Sequence, residues 1–225
     1  MKNLQENIIP AEGQNKKDYF SEGNSGLKIL FVGNSISRHG PKPEVGWTGD
    51  WGMAASEAEK DYLHLIVAKI KEKYDPNVSF SIAQVAGYER NFATMDPETH
   101  YKEAIDFNAD IIVMFFGANV SKEYDTTENP QVKFGDAYEK LRNLFVGGRD
   151  NVFVMHSQGF YIRPVLDEEK RAAAKRLGDP FVELGDIQTR EETHGRFNHP
   201  SDLGMQEIAD LFWKTLEPEV AKRCK

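Results

Sequence analysis

Three short segments hold residues whose types and spacing could do chemistry. Gly33-Asn34-Ser35-Ile36-Ser37 follows an apolar run and places a serine where the backbone must turn sharply, so that its hydroxyl and its own amide can address one substrate atom. Gly117-Ala118-Asn119 closes another apolar run and offers a side-chain amide as a hydrogen-bond donor. Asn198-His199-Pro200-Ser201-Asp202-Leu203-Gly204-Met205 puts a histidine just ahead of a helical pattern. A nucleophile, an oxyanion donor and a base are the parts of acyl transfer. Each piece alone has a plainer reading. Gly-Asn-Ser is a common turn, Gly-Ala-Asn can simply end a strand because Asn tolerates a left-handed turn, and a histidine before proline usually sits in a surface loop. All three together, in this order, favour the chemical reading.

The elements that must position them follow from periodicity. Leu27 to Val32 is a short apolar run closed by Gly33, the pattern of a strand buried on both faces of a parallel sheet. Similar runs at Val78 to Val85, Asp110 to Phe116, Asn151 to His156 and Pro180 to Leu184 predict four more strands. Helical patterns lie between them, at Ser56 to Tyr74 with Ser56 and Glu59 as a capping box, and at about Gly135 to Val146. Two more run from about Asp167 to Leu177, stopped by Gly178, and from about Ser201 to Leu216. Alternating strands and helices predict one α/β domain, a three-layer α/β/α sandwich around a five-stranded parallel sheet. It would span residues 27 to 225, with residues 1 to 26 as a polar arm. In such a sheet the working site lies at the carboxyl ends of the strands. Both Ser35 and Asn119 fall there.

The block LFVGNSIS resembles the first motif of the SGNH (GDSL-like) hydrolases, with Asn34 where Asp is commoner. Gly117-Ala118-Asn119 is similar to their third motif, G-x-N, and HPSDLGM to the motif around their catalytic histidine. Gly87, in Gln84-Val85-Ala86-Gly87-Tyr88, best matches the glycine of the second. The resemblance covers residues 27 to 216 and implies the flavodoxin-like SGNH hydrolase fold and a serine esterase. It implies Ser35 as nucleophile, His199 as general base, and an oxyanion hole made of the Ser35 and Gly87 amides and the Asn119 side chain. No cofactor and no metal is implied.

One departure bears on mechanism. The usual D-x-x-H would require Asp at 196, where this chain has Arg196. Either the enzyme works as a Ser-His dyad with a backbone carbonyl orienting the imidazole, or Asp202, Glu191 or Glu192 takes that role. Asp202 in the first turn of a helix is also explained by capping and the helix dipole.

A long loop joins the nucleophile turn to the first helix, and Arg38, His39, Trp47 and Trp51 in it are candidates to line a substrate pocket. The tryptophans could equally cover the edge of the core. Glu89 and Arg90, just past Gly87, are further lining candidates, although a charged pair in a loop is often only solvated. His64 lies within a helical pattern and His100 and His156 lack a motif, so these three read as structural, and His194 has no partner in the sequence that would make a metal site.

The 225 residues, with 40% hydrophobic and 28% charged, suit one globular domain. A net charge of −8 argues against nucleic acid as a partner. The single cysteine, Cys224, rules out an internal disulfide. No apolar run is long enough to span a membrane, and the N-terminal residues lack a signal-like apolar segment, which points to a cytoplasmic chain unless a leader has been removed. Nothing in the sequence sets an oligomeric state. Nucleotide-dependent transfer would need G-x-G-x-x-G or G-x-x-x-x-G-K-[ST] after a strand, and neither occurs. The expected partner is a small-molecule ester. Without a long apolar lid segment it is expected to carry a short acyl group, with an O-acetylated carbohydrate as the specific expectation. A lipase- or thioesterase-type acyl hydrolase and a non-catalytic carbohydrate-binding relative are the alternatives.

Overall fold

The computed structural model describes residues 18 to 225. Five parallel strands form its centre: β2 (Lys28–Gly33), β3 (Ser79–Gln84), β4 (Ile111–Phe115), β5 (Phe153–Ser157) and β6 (Phe181–Val182). A sixth, β1 (Tyr19–Glu22), pairs antiparallel with β3, giving the order β1-β3-β2-β4-β5-β6. The sheet therefore has one strand more than the five expected. Residues 19 to 22 of the expected arm belong to it, and residues 1 to 17 of that arm lie outside the described residues.

Successive residues of β2 point to opposite faces, so each half of its apolar run builds a different core. Ile29 and Phe31 join Ile66, Ile70, Ile208 and Phe212, under α1 (Tyr62–Lys73) and α7 (Asp202–Arg223). Leu30 and Val32 join Tyr138, Leu141, Leu166 and Ala173 on the other face. That face is covered by α5 (Phe134–Val146) and α6 (Pro164–Leu177), with the short helices α2 (Ala86–Asn91), α3 (Pro97–His100) and α4 (Lys102–Asp106) beside them. The result is three layers, α/β/α.

Several boundaries differ from expectation for identifiable reasons. The first long helix starts at Tyr62, because Asp61 accepts from the His64 amide as N-cap. Ser56 is not a cap. Its amide and hydroxyl bind Asp202 at 2.8 and 2.6 Å, a contact between residues remote in the chain. Pro164 at the first helical position starts α6 ahead of Asp167. The last helix runs on through Pro218 to Arg223, held by the buried Val220. Helices α2 to α4 were not anticipated, since each is too short to show a period.

From β2 the chain crosses to β3 on one side and then returns to β4 on the other. The carboxyl end of β2 is thus the switch point of the sheet, where a crevice opens between diverging loops. Ser35 stands there, flanked by the segment after β3 and by the segment after β4.

Candidate active site

The turn after β2 is built by its own side chains. Oδ1 of Asn34 accepts from the Ile36 amide at 3.1 Å, and the Asn34 carbonyl accepts from the amides of Ser37 and Arg38 at 2.9 and 3.0 Å. The fold-back is so close that a Cβ on Gly33 would lie 1.7 Å from Oγ of Ser37, which explains the glycine. Ser37 in turn bonds the buried Tyr62 hydroxyl at 2.7 Å, locking the turn to α1. Ser35 is left half-buried, facing a cavity.

Its hydroxyl lies 2.7 Å from Nε2 of His199. On the far side of the ring, Nδ1 lies 2.9 Å from the carbonyl oxygen of Phe197. A carbonyl can only accept, so Nδ1 carries the proton and Nε2 presents its lone pair to Ser35. Tyr161 hydroxyl, 3.4 Å from Nδ1, lies beside the same edge. Burial is the largest influence on His199 and pushes its pKa below the ordinary histidine value. The bond to Phe197 pulls it partly back, and the nearby His39 lowers it further. The ring is therefore neutral at neutral pH.

The carbonyl reaches His199 because Phe197 and Asn198 both adopt left-handed backbone, with φ of 60° and 55°. The Phe197 ring is clamped edge-on to Trp47 at 6.5 Å, and the Arg196 guanidinium stacks over it at 4.8 Å. Beyond the histidine, α7 starts against the 191–193 turn so tightly that a Cβ on Gly204 would lie 2.2 Å from the Thr193 carbonyl. Thus the glycine of HPSDLGM seats the helix that follows the histidine.

Across the cavity, Asn119 presents its side chain from the end of β4. Its Oδ1 accepts from Nη2 of Arg90 at 2.8 Å, and its Nδ2 donates to Glu89, leaving a second N–H on Nδ2. Glu89 is fully buried and also accepts from Nδ2 of Asn34 at 2.9 Å and from the amides of Gly117 and Asn119. One carboxylate thus ties the Ser35 turn to the Asn119 loop. Gly87 is half-buried in the first turn of α2, where amides have no intrahelical acceptor, next to the cavity-lining Ala86.

Neither a protein-family model nor a curated protein matches the sequence. Solved structures do. An active-site mutant of a family two carbohydrate esterase from Clostridium thermocellum superposes with a TM-score of 0.58 at 16% identity, over 86% of this chain and 64% of that one. A family 3 carbohydrate esterase from the same organism gives 0.58 at 14% identity, over 88% and 99%. A protein from Bacteroides ovatus named as a GDSL-like lipase gives 0.56 at 15% identity, over 86% and 100%. The chain has the SGNH hydrolase fold.

In this SGNH fold the cavity in front of Ser35 measures about 400 Å³ and is lined also by His39, Asn119, Phe197 and His199. A larger cleft of about 660 Å³, between α5 and α6 at Asp136, Glu139 and Arg176, has no serine or histidine among the described residues that line it. Other expected lining residues are placed elsewhere. Trp47 and Trp51 are buried, packed edge-on to each other at 5.5 Å, and donate to the carbonyls of His39 and Ala55. Arg38 is buried in a 2.6 Å ion pair with Asp50 and lies over Phe20. Glu89 reaches none of the cavity surface, whereas His39 and Arg90 do.

The carboxylates considered for orienting His199 also lie elsewhere. Asp202 bonds Ser56 and pairs with Lys60 at 3.3 Å, Glu192 pairs with Arg190 at 3.5 Å, and Glu191 is exposed. Sequence reasoning allowed for a backbone carbonyl but could not name Phe197, because a carbonyl has no side-chain signature. Lys42, Val45, Met53 and Gln84 in the lining were also missed. Among the described residues, no three His, Cys, Asp or Glu side chains converge as a metal site, and no helix is long and apolar enough to cross a membrane.

Proposed function

We propose that this protein is a serine esterase that removes short acyl groups, chiefly acetyl, from carbohydrates. The observation that carries this reading is the 2.7 Å contact between Oγ of Ser35 and the unprotonated Nε2 of His199. As Oγ attacks the ester carbonyl, its proton passes to Nε2, and the carbonyl π pair moves onto oxygen. The oxyanion is met by the Ser35 and Gly87 amides and the spare N–H of Asn119. Collapse expels the alkoxide, which leaves as the alcohol with the proton from Nε2. Water then repeats the cycle on the acyl-serine, releasing the acid and restoring the Ser35 hydroxyl. A neutral carbonyl at Nδ1 holds the tautomer without adding a charge.

The carbohydrate part is supported by the fold's likeness to two carbohydrate esterases, one of which was solved with cellohexaose. The short acyl group is supported by a cavity near the small end of the range for ligand pockets. The test is acetate release from a panel of acetylated sugars and aryl esters. The parent is expected to turn over acetyl esters, with losses of at least about 10³-fold in Ser35→Ala and His199→Ala. Asn119→Ala is expected to lose about 10²- to 10³-fold in kcat while staying folded. Undiminished turnover in Ser35→Ala would refute the assignment.

A further inference from the structure

Among the described residues, the cavity in front of Ser35 is lined by basic side chains and no acidic one, in a chain with 36 Asp and Glu against 28 Lys and Arg. Lys42 and Arg90 are both exposed and both in the lining. Among the described residues the Lys42 ammonium has no hydrogen-bond or ion-pair partner, so its three donors face solvent. Arg90 spends one donor on the Ala86 carbonyl at 3.2 Å and one on Oδ1 of Asn119 at 2.8 Å. Three of its five remain. His39, in the same lining, uses Nδ1 on the Gly40 carbonyl at 2.6 Å and keeps Nε2.

The rim continues the pattern. Arg196 occupies the position where the resembled motif carries Asp, so a negative charge is replaced by a positive one. Its guanidinium stacks over the lining residue Phe197 and donates to the Gly46 carbonyl at 3.1 Å, beside the lining residue Val45. Glu89, the carboxylate that touches Asn119, is sealed beneath it with both oxygens occupied by donors. Elsewhere on the surface some cations, such as Lys69, Arg171 and Arg176, are matched by acids, and others, such as Lys122 and Lys175, are not, so what distinguishes the cavity is the convergence of Lys42 and Arg90 on one opening without an acidic lining residue. A neutral sugar ester offers these cations only uncharged hydroxyl, ether and carbonyl acceptors, whereas a carboxylate supplies the opposite charge and fits both a guanidinium fork and an ammonium.

Resting on the esterase reading, we propose that the ester taken by this site carries a carboxylate, bound between Lys42 and Arg90. That carboxylate belongs either to the alcohol part, as in an O-acetylated uronic acid, or to the acyl part, as in a succinyl ester. Both present the same group to the same cations.

The test compares two pairs of esters matched except for charge: an O-acetylated methyl galactoside against its uronate, and nitrophenyl butyrate against nitrophenyl hydrogen succinate. In about 20 mM salt, kcat/KM for one carboxylate ester is expected to exceed its neutral partner by about tenfold, and about 0.5 M salt should shrink that ratio at least about threefold. The sugar pair reports a carboxylate on the alcohol, the succinate pair one on the acyl group. Lys42→Glu is expected to abolish or invert the ratio. A ratio below about twofold in both pairs, or one unchanged by Lys42→Glu, overturns the proposal. If the parent cleaves none of the four esters, the esterase reading fails by itself, and the charge preference is then read as binding of methyl galacturonoside and succinate against methyl galactoside and butyrate. Tighter binding of an acid that Lys42→Glu weakens supports the proposal. Equal binding, or none, overturns it.

Discussion

The carbonyl oxygen of Phe197 accepts from Nδ1 of His199 at 2.9 Å, in the place where a carboxylate completes a Ser-His-Asp triad. The carboxylate nearest in sequence, Asp202, is committed to Ser56 and Lys60.

Asp202→Asn is therefore expected to keep kcat within about threefold of the parent while lowering thermal stability. Loss of a triad carboxylate costs about 10⁴-fold in the serine-protease example. Steady-state kinetics on an aryl acetate separate the two outcomes, and a collapse of kcat in a folded Asp202→Asn protein would return the orienting role to Asp202.

The acid limb of activity follows from the state of His199. The base works only when Nε2 is unprotonated, so activity falls as pH drops through its pKa. Burial holds that pKa below the ordinary value of 6.5, so the acid limb of kcat/KM should lie below pH 6.5. His39 contributes to the lowering. His39→Gln should accordingly move the limb upward, toward the ordinary histidine value. A limb above pH 7 in the parent would be inconsistent with a buried, carbonyl-bound imidazole.

Glu89 makes a prediction of a different kind, because it touches no cavity surface. Its carboxylate accepts from Asn34, Gly117 and Asn119. In Glu89→Gln one acceptor oxygen becomes a donor facing donors, which should displace Asn119 and cost about 10²-fold in kcat with little change in KM. Asn34→Asp combined with Glu89→Gln returns a carboxylate to the same hydrogen-bonded bridge and should recover part of the loss. A loss confined to thermal stability, with kcat unchanged, would reduce Glu89 to a structural carboxylate.

The parts of this fold readable in the sequence were those whose signal is local. Ile29 to Val32 announces a strand buried on both sides because both faces are apolar, and Gly33 to Ser35 announces a turn because of the residues it contains. Ser35, Asn119 and His199 stood out because side-chain types at strand ends carry meaning, and the three do line one cavity. What was not readable depended on distant partners. Ser56 looked like a helix cap until Asp202 claimed it from the far end of the chain. Glu89 looked like a solvated loop charge, since nothing local reveals four donors arriving from two other segments. Trp47 and Trp51 were ambiguous because a single aromatic has no period, and β1, with two exposed residues in four, has too little apolar surface to read as a strand.

The central claim is that His199 makes Ser35 a nucleophile. The most direct measurement is intact-protein and peptide mass spectrometry after treatment with a fluorophosphonate. One adduct per chain is expected, on the peptide containing Ser35, with labelling abolished in Ser35→Ala and slowed at least about 10²-fold in His199→Ala. A parent that resists the reagent, or a Ser35→Ala protein that still takes it up at the same rate, would contradict the account.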